Sequence, residues 1–155
     1  MEPLEVLVRS FQIADLDQVY EIEKLSFPKP WPKFSFVVFH YKEPDGFKVA
    51  TSNDKIIGYA IVATERARIE PHGRIAHLAN LAIHTDFRQR GIGKRLVETM
   101  IAYAKGRNAD EITLEVSIDN RAARDLYGKF GFIERKTIRG YYGKRDDAVL
   151  MIKRC

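Results

Sequence analysis

The chain has 155 residues, of which 45% are hydrophobic and 30% charged, and its formal net charge at pH 7 is +5. This length and balance predict one globular domain over residues 1–155. The single cysteine, Cys155, excludes an internal disulfide framework and indicates a reducing compartment, which we take to be the cytoplasm. No apolar run approaches the roughly 20 residues that span a membrane, so we expect no membrane partner.

The positive charge is compatible with a nucleic acid or with a small polyanionic ligand. We expect no direct nucleic-acid partner, because basic and aromatic residues are not interleaved as they are in RNA-binding sheets. We also expect no metal site, because the histidines lack metal-ligand spacing and have no cysteine partners. The histidines are His40, His72, His77 and His84.

The chain begins with a predicted short strand and a helix. Val6 and Val8 alternate with their neighbours as in a strand. Asp15 is the predicted N-cap of a helix that ends near Leu25, and Gln18 stands at the capping-box position.

A loop with prolines at positions 28, 30 and 32 follows, and it carries Phe27 and Trp31. Prolines at alternating positions forbid a regular helix or a central strand. Apolar residues then recur at helical spacing, although their aromatic and β-branched character leaves a strand open. These residues are Phe34, Val37, Val38 and Tyr41.

Residues 47–51 and 55–64 predict two strands joined by a turn at Asn53 and Asp54, which is the pattern of a β-hairpin. The pairing of these early strands is therefore expected to be antiparallel. Residues 65–73 are polar, contain a proline and predict a loop.

Residues 74–104 combine a strand, a basic turn and an amphipathic helix. Residues 75–83 alternate with a period of two, whereas from Gly91 the apolar residues recur at helical spacing. Gly91 and Gly93 allow positive φ and a close approach of ligand to backbone. The free N–H groups of the first helical turn would form an anion site, although a tight turn with solvated arginines is the alternative. The cationic residues of this segment are Arg88, Arg90, Lys94 and Arg95.

This segment resembles the acyl-CoA-binding motif of the GNAT superfamily of N-acetyltransferases, which is Arg/Gln-x-x-Gly-x-Gly/Ala between a strand and a helix. Arg88, Gly91 and Gly93 match it in register. The resemblance implies acetyl-CoA as cosubstrate, with its diphosphate on the turn and its thioester oxygen on backbone amides at the end of the strand. The residues implied to bind it here are Leu81, Ala82, Ile83, Arg88, Gln89, Arg90, Gly91, Ile92, Gly93 and Lys94.

The last third of the chain predicts a strand, a capped helix and two more strands. Residues 112–118 alternate, Asn120 is a predicted N-cap, and Gly131 stands where a left-handed C-cap is favoured. A strand is predicted from residue 132, a loop over 139–147 and a final strand after it.

Counted together, these elements predict an α+β (mixed α/β) fold with about seven strands and about four helices. The strand–helix–strand unit over residues 75–118 predicts one parallel pair in an otherwise largely antiparallel mixed sheet. The helices are expected to flank this sheet.

Residues 114–132 resemble the second GNAT motif, which has an Asn, two small residues, Leu-Tyr and a closing Gly-Phe. The two motifs together imply the GNAT fold. The spacing of Glu115, Asn120 and Tyr127 resembles that of N-terminal (Nα) acetyltransferases of the RimI type. The resemblance implies that Glu115 is the general base, Tyr127 the acid that protonates the leaving thiolate, and Asn120 a cofactor contact as well as a cap.

Two more segments resemble the RimI type. The loop with Phe27 and Trp31 stands where those enzymes shape one wall of the peptide groove, and Tyr141 and Tyr142 resemble the paired tyrosines that contact the peptide backbone. All four are therefore implied to bind substrate. Trp31 as plain packing and the two tyrosines as cover for a sheet edge remain open alternatives.

The implied acceptor is a protein or peptide N-terminus, with a ribosomal protein among the candidates, and we expect a monomer or weak dimer. The same fold acetylating a lysine side chain or a small-molecule amine is a second interpretation. A non-catalytic CoA-binding module is a third, in which Glu115 would be a solvated strand residue and Tyr127 a core aromatic.

Overall fold

A computed structural model describes residues 4–66 and 73–155. Its helices are α1 Leu16–Ser26, α2 Lys33–Lys42, α3 Ile92–Gly106 and α4 Arg121–Lys129. Its strands are β1 Leu7–Ser10, β2 Phe47–Ser52, β3 Lys55–Arg66, β4 Arg74–Ile83, β5 Glu111–Ser117, β6 Ile133–Gly143 and β7 Asp146–Arg154. The loop predicted over 65–73 begins later than expected, because β3 extends to Arg66, and its residues 67–72 lie outside the described residues.

The seven strands form one sheet in the order β1-β2-β3-β4-β5-β7-β6. β4 and β5 pair in parallel, whereas β1 with β2, β2 with β3, β5 with β7 and β6 with β7 pair in antiparallel. This confirms the mixed, largely antiparallel sheet with four helices. The early hairpin is also confirmed: Asn53 and Asp54 have φ of 49° and 63°, as a two-residue turn with the twist of the flanking strands requires.

The contacts group the chain into two compact units, Met1–Ala63 with Asn80–Met100 and Thr64–Ala79 with Ile101–Cys155. The single domain over 1–155 therefore stays a prediction. The first unit has an aromatic core in which Phe36, Phe47 and Tyr59 are fully buried with ring centroids 5.7–6.4 Å apart. The apolar side of α3 is also buried, through Ile92, Leu96, Val97 and Met100, and Leu96 lies against Gly58 of β3.

The core of the second unit is built on β5, whose buried residues alternate with half-buried ones as the sequence predicts. Ile112, Leu114 and Val116 face inward, and Glu115 lies on the opposite, half-buried side. Tyr127 of α4 is buried against Phe132, with ring centroids 5.7 Å apart.

The capping box predicted for α1 is wrong. Asp15 is the N-cap but makes no side-chain cap hydrogen bond, because its carboxylate accepts from Arg9 and from the Gln12 amide instead. Gln18 likewise turns away from the helix end and accepts the Ile56 N–H at 3.0 Å.

Helix α2 is confirmed, but the apolar residues that predicted it are largely exposed. Phe34 and Tyr41 are 73% and 72% exposed, and Val38 is 44% exposed, whereas Phe36 is fully buried. Phe36 packs into the aromatic core against Phe47 and Tyr59. The side of α2 that carries the three exposed residues therefore faces away from this core.

The loop predicted over 139–147 is wrong as well, because β6 continues to Gly143 and β7 starts at Asp146. Two glycines with positive φ, Gly140 and Gly143, and a register shift between Ile138 and Gly143 interrupt the regular alternation. Because of these interruptions, the sequence of this strand has the pattern of a loop.

Candidate active site

The basic turn between β4 and α3 has the geometry that anion binding requires. Gln89 and Gly91 are both left-handed, with φ of 60° and 82°. α3 begins at Ile92, and the Gly91 carbonyl accepts the Arg95 N–H at 3.1 Å, so the amides of residues 92–94 have no partner within the helix. A Cβ built on Gly91 would meet no atom within 4 Å, which leaves room for a ligand against the backbone.

The predicted side chains of this turn take different positions. Arg88 folds back on the strand, where it donates to the Ile83 carbonyl at 3.2 Å and to Ser26 Oγ at 3.4 Å. Arg90 is exposed and lies over the Phe87 ring, with its guanidinium carbon 6.0 Å from the ring centroid. Gln89 and Lys94 are exposed, and the buried Ile92 contributes its amide alone.

The end of β4 presents the backbone predicted to receive the thioester arm. Leu81 and Ile83 are half-buried and Ala82 is buried, as their alternation predicts. The Leu81 N–H donates to Oδ1 of the preceding residue, Asn80, at 3.0 Å. This amide is therefore oriented by a neighbouring side chain.

The proline loop is held from both ends. The Phe27 N–H donates to the Glu23 carbonyl at 3.0 Å, and the Trp31 N–H donates to Glu23 Oε2 at 2.9 Å. The Trp31 ring stacks on Phe39 with centroids 5.3 Å apart and planes 12° apart. Trp31 therefore packs against α2, and its contact with substrate stays a prediction.

In the second unit, Glu115 has a partner that sequence reasoning missed. His77 Nε2 on β4 lies 2.6 Å from Glu115 Oε2 on β5, and their side chains are 33% and 19% exposed. This is hydrogen-bond distance, so an imidazole that carries its proton on Nε2 donates to the carboxylate, and its Nδ1 is then an acceptor. The sequence shows His77 on a predicted strand, but not the register of β4 against β5 that brings it beside Glu115.

Tyr127 is 7% exposed, and burial raises the pKa of its phenol well above the ordinary value. The phenol therefore stays protonated across the neutral range, which is the state that an acid needs. The Tyr142 pKa is raised too, first by burial and then by the charges of Tyr141, Glu115, Asp146 and Tyr127. Tyr127 is thus close enough to Tyr142 to contribute to its raised pKa.

The paired tyrosines lie in the irregular part of β6. Their rings pack edge to face with centroids 4.8 Å apart, and Tyr141 is 47% exposed. The pKa of Tyr141 is raised by burial and by the Glu115 charge. The Gly140 N–H donates to Asp147 Oδ1 at 2.8 Å, which fixes the hairpin.

Asn120 is confirmed as the N-cap of α4, since its Oδ1 accepts the Ala123 N–H at 3.1 Å. The structure places Phe27, Trp31 and the residues of β4 and its turn from 81 onward in the first unit. It places Glu115, Asn120, Tyr127, Tyr141 and Tyr142 in the second.

Among residues 4–66 and 73–155, no three or more His, Cys, Asp or Glu side chains group in a way that could hold a metal ion. His72 lies outside these residues. None of the helices in the described part of the chain is long and apolar enough to cross a membrane.

The sequence matches the Acetyltransferase (GNAT) family over residues 16–132, and the chain belongs to this family. Acetyltransferases of this family use acetyl-CoA. The resemblance predicted from the two motifs and the GNAT fold are thereby confirmed, and the chain is an acetyltransferase.

Three known proteins illustrate the similarity. An N-alpha-acetyltransferase of Sulfurisphaera tokodaii is 33% identical over 154 residues, which cover 95% of this chain and 92% of that protein. A putative [ribosomal protein bS18]-alanine N-acetyltransferase of Bacillus subtilis is 31% identical over 149 residues, which cover 93% and 92%. The crystal structure of the ribosomal-protein-S18-alanine N-acetyltransferase from Escherichia coli has a TM-score of 0.80 at 28% identity, covering 97% of this chain and 94% of that one.

Proposed function

We propose that the protein transfers the acetyl group of acetyl-CoA to the N-terminal α-amine of a protein, by direct attack in a ternary complex. The observation that carries the proposal is the contact of 2.6 Å between His77 and Glu115, which supplies a proton acceptor in an acetyltransferase fold. Relatives and structural neighbours named for N-alpha-acetylation support the choice of an α-amine.

An α-amine is easier to deprotonate near pH 7 than a lysine side chain. An α-amine has a pKa of about 7.7–8.0, so removing its proton near pH 7 costs about 1 kcal/mol, whereas a lysine at about 10.4 costs about 4–5 kcal/mol. The smaller cost of the first case suits a general base formed by a histidine hydrogen-bonded to a carboxylate. We assign the removal of the amine proton to this pair.

Tyr127 is the proposed acid. Its phenol keeps its proton because burial raises its pKa. The same dry surroundings disfavour a free thiolate, so a phenolic proton moves to the sulfur as the carbon–sulfur bond breaks. Tyr127 therefore acts late in the reaction, after the amine has attacked.

Acetyl-CoA supplies the acetyl thioester, and the residues of the first unit fit it. The amides of residues 92–94 and the space above Gly91 suit a diphosphate, and Arg90 and Lys94 add positive charge at the surface. The backbone of Leu81, Ala82 and Ile83 is assigned to the thioester arm. Asn120 is assigned as a further contact.

The acceptor chain is assigned to the proline loop and the paired tyrosines, through Phe27, Trp31, Tyr141 and Tyr142. A ribosomal protein is the proposed acceptor class, by analogy with the relatives named for one. The cytoplasm and a monomeric or weakly dimeric state belong to this proposal as well.

The test is a turnover screen with acetyl-CoA against peptides that vary in their first four residues. Peptides with a blocked α-amine and an internal lysine, and a set of small polyamines, serve as controls. The proposal expects turnover that depends on a free α-amine and on the first residues. Turnover of the blocked, lysine-containing peptides or of the polyamines at equal rates would reject it.

A further inference from the structure

Glu23 is an ionisable residue buried inside the first unit, and the proposed mechanism does not use it. It lies in the last turn of α1 and is 1% exposed. A carboxylate is costly to bury unless its oxygens accept hydrogen bonds. The buried Glu23 carboxylate therefore needs hydrogen-bond donors around it.

Three donors from three segments converge on this carboxylate. The Trp31 N–H donates to Oε2 at 2.9 Å, and the Tyr59 hydroxyl and Asn80 Nδ2 donate to Oε1 at 2.5 and 2.7 Å. All three donors are neutral, so the carboxylate is the strong acceptor in each bond. Burial and the Glu23 charge both raise the pKa of Tyr59, which keeps its hydroxyl in the donor form.

The chain of contacts continues from Asn80 to the backbone of β4. While Asn80 Nδ2 donates to Glu23, its Oδ1 accepts the Leu81 N–H at 3.0 Å. The orientation of the Asn80 amide group is thus set by Glu23, and the direction of the Leu81 N–H is set by Asn80.

We infer that Glu23 is a positioning residue for acetyl transfer: one oxygen of its carboxylate holds the Trp31 loop, and the other holds the Leu81 amide through Asn80. This inference rests on the proposed function, which assigns Trp31 to the acceptor and Leu81 to the thioester arm. One buried group thereby couples the two substrate-binding segments of the first unit.

Three substitutions separate this role from general core stability. Glu23→Gln removes the charge and one acceptor oxygen, so its NH₂ group faces either the Trp31 N–H or the Tyr59 and Asn80 donors, and the bond on the other side loses its charged acceptor. Asn80→Ala removes only the side chain that links Glu23 to the Leu81 N–H. Tyr59→Phe is the matched control: it removes the bond from Tyr59 to Glu23 and a longer one of 3.2 Å that the Tyr59 hydroxyl accepts from Asn80 Nδ2, but it leaves the Asn80 bonds to Glu23 and Leu81 and the Trp31 bond in place.

The measurements are steady-state kinetics with peptide and acetyl-CoA, and amide hydrogen exchange at Trp31 and Leu81. For Glu23→Gln we expect a KM for the peptide about tenfold higher, a kcat/KM for acetyl-CoA about tenfold lower, and faster exchange at both amides. For Asn80→Ala we expect the same loss in kcat/KM for acetyl-CoA and faster exchange at Leu81. The KM for the peptide and the exchange at Trp31 should stay at the wild-type values. For Tyr59→Phe we expect a lower melting temperature with both kinetic constants within about twofold of wild type.

Folded Glu23→Gln protein with wild-type kinetics and exchange would overturn the inference, as would Tyr59→Phe protein with the same kinetic losses. If Glu23→Gln does not fold, Glu23→Asp, which keeps the charge but draws the carboxylate back from its three donors, is compared with Tyr59→Phe in the same way. If the wild-type protein acetylates no peptide, the proposed function fails instead. In that case faster exchange at Trp31 and Leu81 in Glu23→Gln but not in Tyr59→Phe still supports the Glu23 link, and equal exchange in the two variants refutes it.

Discussion

His77 and Glu115 are 38 positions apart in the chain, and their side chains meet with Nε2 and Oε2 2.6 Å apart. The parallel register of β4 and β5 places His77 opposite Thr113. Glu115 is therefore the diagonal neighbour two residues further along, on the same side of the sheet.

Glu115→Gln is expected to lower kcat by about 10²–10⁴, because the pair loses its ability to take the amine proton. His77→Gln is expected to have an effect of similar size. The double variant should lose no more than the more severe single variant, since residues that act as a unit are not additive. The measurement is kcat with a peptide that the wild type accepts.

The matched control for this prediction is Glu134→Gln, which removes an exposed carboxylate of β6 that pairs with Arg124. It should retain wild-type kcat. Full activity of Glu115→Gln, or additive losses in the double variant, would show that the pair is not the base.

Tyr127→Phe is expected to lower kcat strongly and leave the affinity for acetyl-CoA unchanged, because the phenol acts only when the thiolate leaves. Because burial raises the pKa of Tyr127, the phenol stays protonated as pH rises through the ordinary tyrosine value of about 10. Loss of this acid should therefore not limit kcat of the wild type below about pH 10.

The measurements are the pH profile of kcat and calorimetric titration with acetyl-CoA. Tyr20→Phe, on α1 beside Lys24, serves as the control and should behave as wild type. A Tyr127→Phe protein with unchanged kcat would exclude Tyr127 as the acid.

Gly91→Ala is expected to weaken acetyl-CoA binding by at least about tenfold. Gly91 has φ of 82°, where an added Cβ costs about 1–2 kcal/mol, and the space above it is assigned to the diphosphate. Gly106→Ala is the control, because its Cβ also meets open space but lies at the far end of α3. Equal affinity of Gly91→Ala and wild type for acetyl-CoA would place the diphosphate elsewhere.

Asp15→Asn is expected to lower the free energy of unfolding by about 1.5–3 kcal/mol at pH 7. Burial alone would raise the pKa of Asp15, but hydrogen bonds from Arg9 and Gln12 outweigh it and hold the pKa below the ordinary value. A carboxyl with a lowered folded pKa stabilises the protein above its unfolded pKa of about 4, and this stability is lost as pH falls through the folded value.

The difference between wild type and Asp15→Asn should therefore shrink in acid, which urea unfolding at several pH values measures. Asp17→Asn, which removes an exposed ion pair with Lys33, is the control and should change stability little. A pH-independent difference for Asp15→Asn would argue against this assignment.

Sequence periodicity predicted the parts of the site that depend on local structure. The change of period at Gly91 located the strand, the turn and the helix, and Asn120 was found as a cap because capping needs only three following residues. Glu115 was placed on the correct face of β5 by alternation alone.

The parts that sequence did not predict depend on register and on competing partners. His77 was missed because the parallel register of β4 against β5 is set by the whole sheet. Asp15 stands at the N-cap of α1 without a side-chain cap bond, since Arg9 and the Gln12 N–H take its carboxylate. Glu23 was missed because its helical position alone does not show that three distant donors point at it.

The most direct test of the central claim uses one peptide with a free α-amine and an internal lysine, together with acetyl-CoA. After a single time course, fragment masses locate the acetyl group. Acetylation of the α-amine in large excess over the lysine is the predicted result. Acetyl groups found on the lysine, or equally on both amines, would contradict the account.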